Sequence, residues 1–199
     1  MVDNTSSPTR RPGRPRDPRI DEAVLVAARE LLGEVGYQRL TYDAVAQRAG
    51  VHRPAVYRRW PSKLHLVLDA CREAITDSLE TPNSGNLADD IRFLIASTVN
   101  LFSLTYVASG MAGALAEVAA DQSMIDEFVR GYSTDAFHHF SAVINEYRSK
   151  GEVGDVNAGL LFTMITGTVF MRVATMGQDS GTAQLVDGLT EVVLAACRP

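Results

Sequence analysis

The chain has 199 residues, 46% apolar and 22% charged, the length and composition of one soluble domain or two small ones around a real hydrophobic core. No apolar run approaches the ~20 residues of a membrane span, and the polar, Arg- and Pro-rich start lacks a signal-peptide core, so the expectation is a cytoplasmic protein without membrane contact. The net charge of −5 hides a split: residues 1–63 hold twelve Lys and Arg against seven Asp and Glu (net +5), residues 64–199 seven against seventeen (net −10). Only the first part can face phosphate, and the acidic remainder is excluded as a second nucleic-acid surface.

Residues 1–18 are Ser, Thr, Pro and Arg without periodicity and predict a disordered basic arm. Its Gly13-Arg14-Pro15 is similar to the core of an AT-hook. A narrow, extended backbone there lets Arg14 and Arg16 enter a minor groove that A/T pairs make narrow and electronegative. A solvated tail that merely adds electrostatic affinity is the alternative. A first helix is expected over Arg19–Val35, with Ile20, Val24, Ala27, Ala28, Leu31, Leu32 and Val35 on one stripe, acidic Asp21 and Glu22 at its start and Gly36 at its end.

Leu40 to Lys63 reads LTYDAVAQRAGVHRPAVYRRWPSK and predicts two short helices joined by a tight turn. Thr41 is a good N-cap, and Asp43 faces the positive end of the helix dipole. Gly50 can take the left-handed conformation that a turn between crossed helices needs. The second helix opens at Arg53-Pro54, where the missing N–H of proline costs little. It sends Val56 inward and Arg53, Tyr57, Arg58 and Arg59 outward or to its flanks. Trp60 and Pro61 close it, and Ser62 caps the next helix. This is a helix-turn-helix, whose second helix reads the major groove while the first crosses the phosphate backbone.

The stretch resembles the DNA-binding domain of the TetR family of transcription regulators. The likeness runs from the helix of Ile20–Val35 through Gly36-Tyr37 and Leu40-Thr41 to Lys63-Leu64 and is carried by Ala46, Ala49-Gly50-Val51, Val56-Tyr57 and Trp60-Pro61-Ser62-Lys63. His52 departs from the Ser or Thr cap common in the family, and Trp60 from the commoner Phe. Beyond this stretch, length and apolar helical character carry the likeness. The family pairs through its last two helices, which implies a homodimer here.

From Ser62 a long helix extends to about Leu79, starting inside the reader and ending outside it, so it is the expected mechanical link. Thr81–Asn86 reads as a loop. Helices are then expected at about Leu87–Phe102, Ala108–Ala119, Ser123–Lys150, from Asp155 or Asn157 to Thr175, and from Thr182 to Ala196, with a break over Met176–Gly181. No segment alternates with period two, so the fold class is all-α. A basic arm (1–18) and a helix-turn-helix domain (19–66) precede a larger helical effector-binding and dimerisation domain (67–199). The helix LLFTMITGTVFMRV (Leu160–Val173) is apolar almost all round and predicts burial on one face and a partner subunit on the other. Gly159, Gly167 and Gly188 permit close helix approach.

In this reading Arg53, Ala55 and Arg58 face base edges and Pro54 adds apolar contact. Thr41, Tyr42, Tyr57, Arg59 and Lys63 face phosphates, with packing inside the motif as the alternative for the two tyrosines; the family resemblance favours Tyr57 as the stronger phosphate ligand. Met and aromatic side chains concentrated in the middle of the chain predict an apolar effector pocket at Phe102, Tyr106, Met111, Phe128, Tyr132 and Met164, bordered by the far end of the linking helix near Cys71 and Ile75. Cys71 and Cys197 form no CxxC and read as reduced thiols. His52, His65, His138 and His139 make no metal set, since adjacent His138 and His139 point to different helix faces, and no cofactor is expected. An enzyme would need a nucleophile, paired carboxylates or a metal cluster at usable spacing, and Asp135 beside His138-His139 reads better as a helix surface. The acidic second half opposes a DNA-packaging role. The expected function is a dimeric, ligand-responsive repressor of a palindromic operator in double-stranded DNA, released by a small, largely apolar effector. The alternatives are a regulator without an effector, or an activator.

Overall fold

The computed structural model describes residues 17–80, 82, 84–130, 134–176 and 182–199, among which there are ten α-helices and no strand. The arm residues Arg14 and Arg16, the pocket candidate Tyr132 and most of the break at Met176–Gly181 lie outside the described residues.

Helix α1 (Pro18–Arg39) is capped by Asp17, whose Oδ1 accepts from the Arg19 N–H at 3.1 Å. The helix breaks at Gly36, whose φ of 76° is open to glycine at no steric cost, and a last turn leads to Leu40. In α2 (Tyr42–Arg48) Thr41 Oγ1 accepts from the Ala44 N–H at 3.2 Å, and Gly50 at φ 66° makes the turn into α3 (Arg53–Arg59). His52 makes no side-chain cap for α3, so Pro54 and the fixed turn must start that helix. Ser62 caps α4 (Lys63–Asp77) through the His65 N–H. Val24, Ala28, Val45, Val56, Trp60 and Leu64 meet in the core of this first bundle.

Helices α5 (Leu87–Ser103) and α6 (Thr105–Ala120) meet at Leu104 with an 86° bend. No single described helix is long and apolar enough to cross a membrane. Two expectations fail in this region. Helix α6 begins three residues before Ala108, because one extended residue, Leu104, suffices to turn the chain. The continuous helix expected over Ser123–Lys150 is broken. Asp121 accepts from the N–H and the hydroxyl of Ser123 and starts a 3₁₀ turn (Gln122–Met124), then comes the short α7 (Ile125–Phe128), and α8 begins only at Thr134 and runs to Ser149.

Helices α9 (Ala158–Met176) and α10 (Thr182–Cys197) pack on α5. Leu161, Ile165, Val169 and Val173 form the buried stripe of α9, and Val186, Leu189, Val193 and Cys197 that of α10. On the outer faces Leu160 is 67% exposed, Met171 55% and Val192 53%. Gly167 and Gly188 are exposed, and nothing lies within 4 Å of where a Cβ would stand on either. Under this bundle Asp90, 2% exposed, accepts from the Ser84 N–H and hydroxyl at 3.0 and 2.5 Å and from the Tyr147 hydroxyl at 2.6 Å. Burial works to raise the pKa of this carboxyl, but the hydrogen bonds prevail and hold it below the ordinary value.

Candidate DNA interface and internal cavity

The helix-turn-helix brings most of the expected contact residues to one surface. Thr41, Tyr42, Tyr57 and Lys63 line a hollow of about 220 Å³, with Leu40 and Leu66 as its floor. Thr41 uses a lone pair on its cap and keeps its hydroxyl proton to give. Tyr42 donates to the Trp60 carbonyl at 2.9 Å, and its ring lies 4.4 Å from that of Tyr57. Burial and the neighbouring Tyr57 push the Tyr42 phenol up to about 12. Tyr42 is therefore a packed, neutral donor, while Tyr57 remains exposed. The hollow offers the Thr41 and Tyr57 hydroxyls and the Lys63 ammonium as donors.

Beside it, Arg53 is exposed at the start of α3. Its Nε pairs with Asp43 Oδ1 at 2.6 Å, one Nη donates to the Tyr57 hydroxyl at 3.0 Å, and the guanidinium lies 5.2 Å from the Tyr57 ring centre. The side chain is thus held by α2 and by the next turn of its own helix. Pro54 and Arg58 are exposed, and Ala55 is half-buried. Sequence reasoning assigned Asp43 to the helix dipole alone and missed its grip on Arg53, which only the crossing of α2 and α3 creates.

Arg59 does not belong to this surface. Its side chain is 5% exposed, Nε pairs with Asp21 of α1, and Nη1 donates to the Ala55 carbonyl at 3.2 Å. The expectation of a phosphate contact is corrected here: a guanidinium committed to a carboxylate and a carbonyl inside the bundle is a brace between α1 and α3.

Tyr37, just past the break in α1, ties the reader to α6. Its N–H donates to Ser109 Oγ at 3.1 Å, its hydroxyl donates to Glu117, and its ring fills the place where a Cβ on Gly113 would stand. Lys63 Nζ sits 4.2 Å from the centre of the same ring. Burial lowers the Lys63 pKa against the opposing pull of Glu117. One turn earlier, Gly110 lets Val67 and Cys71 of α4 approach to 2.9 and 3.3 Å of its missing Cβ. Burial pushes the Cys71 thiol up to about 12, which keeps it protonated and inert.

The other face of α6 carries Met111 and Leu115, which line a cavity of about 590 Å³ together with Phe102, Phe128, Phe137, Phe162 and Phe170. Val129, Thr134, His138, Thr163, Thr166 and the backbone at Gly159 and Gly167 complete the wall. Of the expected pocket residues, Phe102, Met111 and Phe128 line this cavity. Two are corrected. Tyr106 lines a separate surface depression with Glu73 and Asp77, because the bend at Leu104 turns the first turn of α6 the other way. Met164 packs against the core instead of the cavity. The border also differs. Cys71 faces Gly110, and Ile75 lines only a small neighbouring hollow of about 50 Å³. The α9 wall was missed because its apolar pattern reads equally well as core. Among the described residues no group of three or more His, Cys, Asp or Glu could hold a metal ion.

This geometry agrees with what the chain is similar to. The family model described as "Bacterial regulatory proteins, tetR family" matches residues 24–70, and that described as "Tetracyclin repressor-like, C-terminal domain" matches residues 81–193. An uncharacterized HTH-type transcriptional regulator of Mycobacterium bovis is 52% identical over 77 residues, 39% of this chain, and the match spans only 38% of that relative's length. The DNA-binding transcriptional repressor TetR of Mycobacteroides abscessus is 28% identical over 188 residues, 89% of this chain and 93% of the relative. The crystal structure of the TetR family transcription regulator SCO0332 superposes with a TM-score of 0.71 at 24% identity, covering 91% of this chain and all of that one. All three are described as transcription regulators.

Proposed function

Because the chain belongs to the TetR family of helix-turn-helix transcription regulators, we propose that it acts as a dimeric repressor that reads a palindromic operator and lets go of it when a small, largely apolar effector binds. The observation that carries this reading is the double role of α6. Ser109, Gly110, Gly113 and Glu117 seat α1, Tyr37 and α4 on one side, while Met111 and Leu115, about 165° away around the helix at ~100° per residue, face the cavity. An effector that displaces Met111 and Leu115 therefore acts on the seat of the reader. It lowers operator affinity by as much as it prefers the displaced state.

In this reading residues 19–66 read DNA and residues 67–199 bind the effector and dimerise. Arg53, Ala55 and Arg58 take base edges with Pro54 in apolar contact, and Thr41, Tyr57 and Lys63 take phosphates, with Tyr42 holding Tyr57. Arg14 and Arg16 extend the contact into the minor groove. The outer faces of α9 and α10, with Leu160, Met171 and Val192 exposed, support pairing of two copies. Pairing sets two reading helices about 34 Å apart, one turn of DNA.

The test is selection of genomic fragments by the purified protein, then sizing of the complex and titration of DNA in the presence of candidate effectors. A palindrome bound by two copies is expected. Sequence-independent binding, or a single copy per site, overturns the reading.

A further inference from the structure

The cavity behind α6 has a chemical signature of its own. Its volume of about 590 Å³ falls within the range that holds small organic ligands, roughly 300–1,000 Å³. Five phenylalanines line it: Phe102, Phe128, Phe137, Phe162 and Phe170. Phe102 meets Phe170 edge to face at 5.4 Å, and Phe137 meets Phe162 in the same way at 5.7 Å. Edge-to-face pairs of this kind are the geometry in which aromatic rings attract one another, so a wall so rich in them suits a flat aromatic ligand.

The polar groups are equally selective. No Lys, Arg, Asp or Glu lines the cavity among the described residues. A carboxylate or phosphate placed there loses its hydration without meeting a lysine or arginine among the described lining residues. Three threonines supply hydroxyls, and each spends its proton on the backbone: Thr134 on the Val129 carbonyl at 3.0 Å, Thr163 on Gly159 at 2.9 Å, Thr166 on Phe162 at 2.8 Å. What they present to a ligand is lone pairs. The wall thus asks for hydrogen-bond donors on the ligand, while the exposed His138 ring can donate or accept a hydrogen bond.

We propose that this cavity selects a neutral polycyclic aromatic molecule bearing a hydrogen-bond donor such as a phenolic hydroxyl, and discriminates against its carboxylate analogue and against phosphate-bearing acyl chains. The selection acts on the cavity read above as the effector site.

Three probes on one fluorescent scaffold test it: 1-hydroxypyrene, pyrene and pyrene-1-carboxylate, titrated into the full chain at a pH where the phenol is neutral, with palmitoyl-CoA as competitor. Hydroxypyrene is expected to bind about fivefold tighter than pyrene, the worth of one neutral hydrogen bond, and the carboxylate more weakly than either. Among Thr134→Val, Thr163→Val and Thr166→Val, one variant is expected to erase the advantage of hydroxypyrene while binding pyrene as before. Equal binding of the carboxylate, displacement by palmitoyl-CoA, an advantage untouched in all three variants, or no binding of any pyrene overturns the proposal. Operator binding measured in the same samples separates the two readings. Selective binding of hydroxypyrene without release of DNA refutes the effector role and upholds the ligand class. Release by palmitoyl-CoA alone refutes the ligand class and upholds the effector role.

Discussion

The two faces of α6 look onto regions built in contrary ways. On the reader side, polar groups are committed one to another: Tyr37 to Ser109 and Glu117, Arg59 to Asp21 and Ala55, Arg53 to Asp43 and Tyr57, Tyr42 to Trp60. Each bond has one partner and one geometry, so short helices of seven residues hold a defined shape. On the cavity side the wall is mostly aromatic and aliphatic, its hydroxyls satisfied within their own segments, and contacts are broad and exchangeable. The difference suits the proposed tasks. A surface that matches DNA spacing gains from directional bonds, whereas a wall that yields to a ligand, as proposed, gains from nondirectional packing, which can shift without leaving a polar group unpaired.

If the seam between the two regions carries the coupling, the largest effect should come from Gly113. A methyl group there overlaps the Tyr37 ring, and the ring cannot retreat without surrendering its hydroxyl's bond to Glu117. Gly113→Ala is expected to cost about 3 kcal/mol, at the upper end of overpacking, despite the better helix propensity of alanine. Gly167→Ala, in open space, should cost nothing within one subunit. Urea midpoints at unchanged slope measure both. Equal behaviour of the two glycines would show that the seam is loose.

The next effect tests the cavity-side bundle at its buried carboxylate, Asp90. Asp90→Asn replaces an acceptor of three hydrogen bonds, and about 2 kcal/mol should be lost at neutral pH. Because the folded-state pKa of Asp90 is depressed, its contribution is fully present above the ordinary carboxyl pKa of about 4 and is lost as pH falls through and below it. The gap between wild type and variant should therefore narrow on acidification below about pH 4. A gap that stays constant with pH would mean that the charge on Asp90 is not what the site uses.

The same contrast explains what could be read in advance. Thr41, Gly36, Gly50, Pro54 and Ser62 act through the backbone within a few residues of themselves, so the reader was legible from local signals. Val24, Val56 and Leu64 came from periodicity. Arg59 was misjudged because an arginine near the end of a recognition helix looks the same whether it faces solvent or an aspartate 38 positions earlier. The cavity is assembled from α5, α6, α7, α8 and α9, and no local pattern tells Phe162, which lines it, from Met164, which does not. Both lie in a helix apolar almost all round, and only the packing of that helix decides.

Within the reader, Arg58 and Arg59 offer a sharper comparison between adjacent residues of the same charge. Arg58→Ala should leave stability nearly unchanged and reduce the salt dependence of operator binding by about one counterion, if it touches a phosphate, or relax one base position, if it reads a base. Arg59→Ala should lower stability by about 1–2 kcal/mol through the lost brace to α1, with base preference unchanged. Denaturation and binding to single-base operator variants, run on both proteins, distinguish the roles. A reversal of the two profiles would return Arg59 to the DNA surface.

The smallest effect on the free protein, and the most telling on DNA, belongs to Asp43. Its pair with Arg53 is exposed, so Asp43→Asn should leave the melting temperature nearly where it is. In the complex the pair has geometric value. With Nε on Asp43 and one Nη proton on Tyr57, Arg53 keeps a terminal N–H on each Nη, the fork that meets guanine O6 and N7. Asp43 then acts as a positioning residue that aims this fork. Asp43→Asn removes a negative charge close to DNA, so random-sequence affinity should rise slightly while the preference for guanine at one position of each half-site falls about tenfold. If Asp43 instead competes with the base for Arg53, the same variant will bind its operator more tightly and keep its preference. Titration against operators carrying each of the four bases at that position distinguishes aiming from competition.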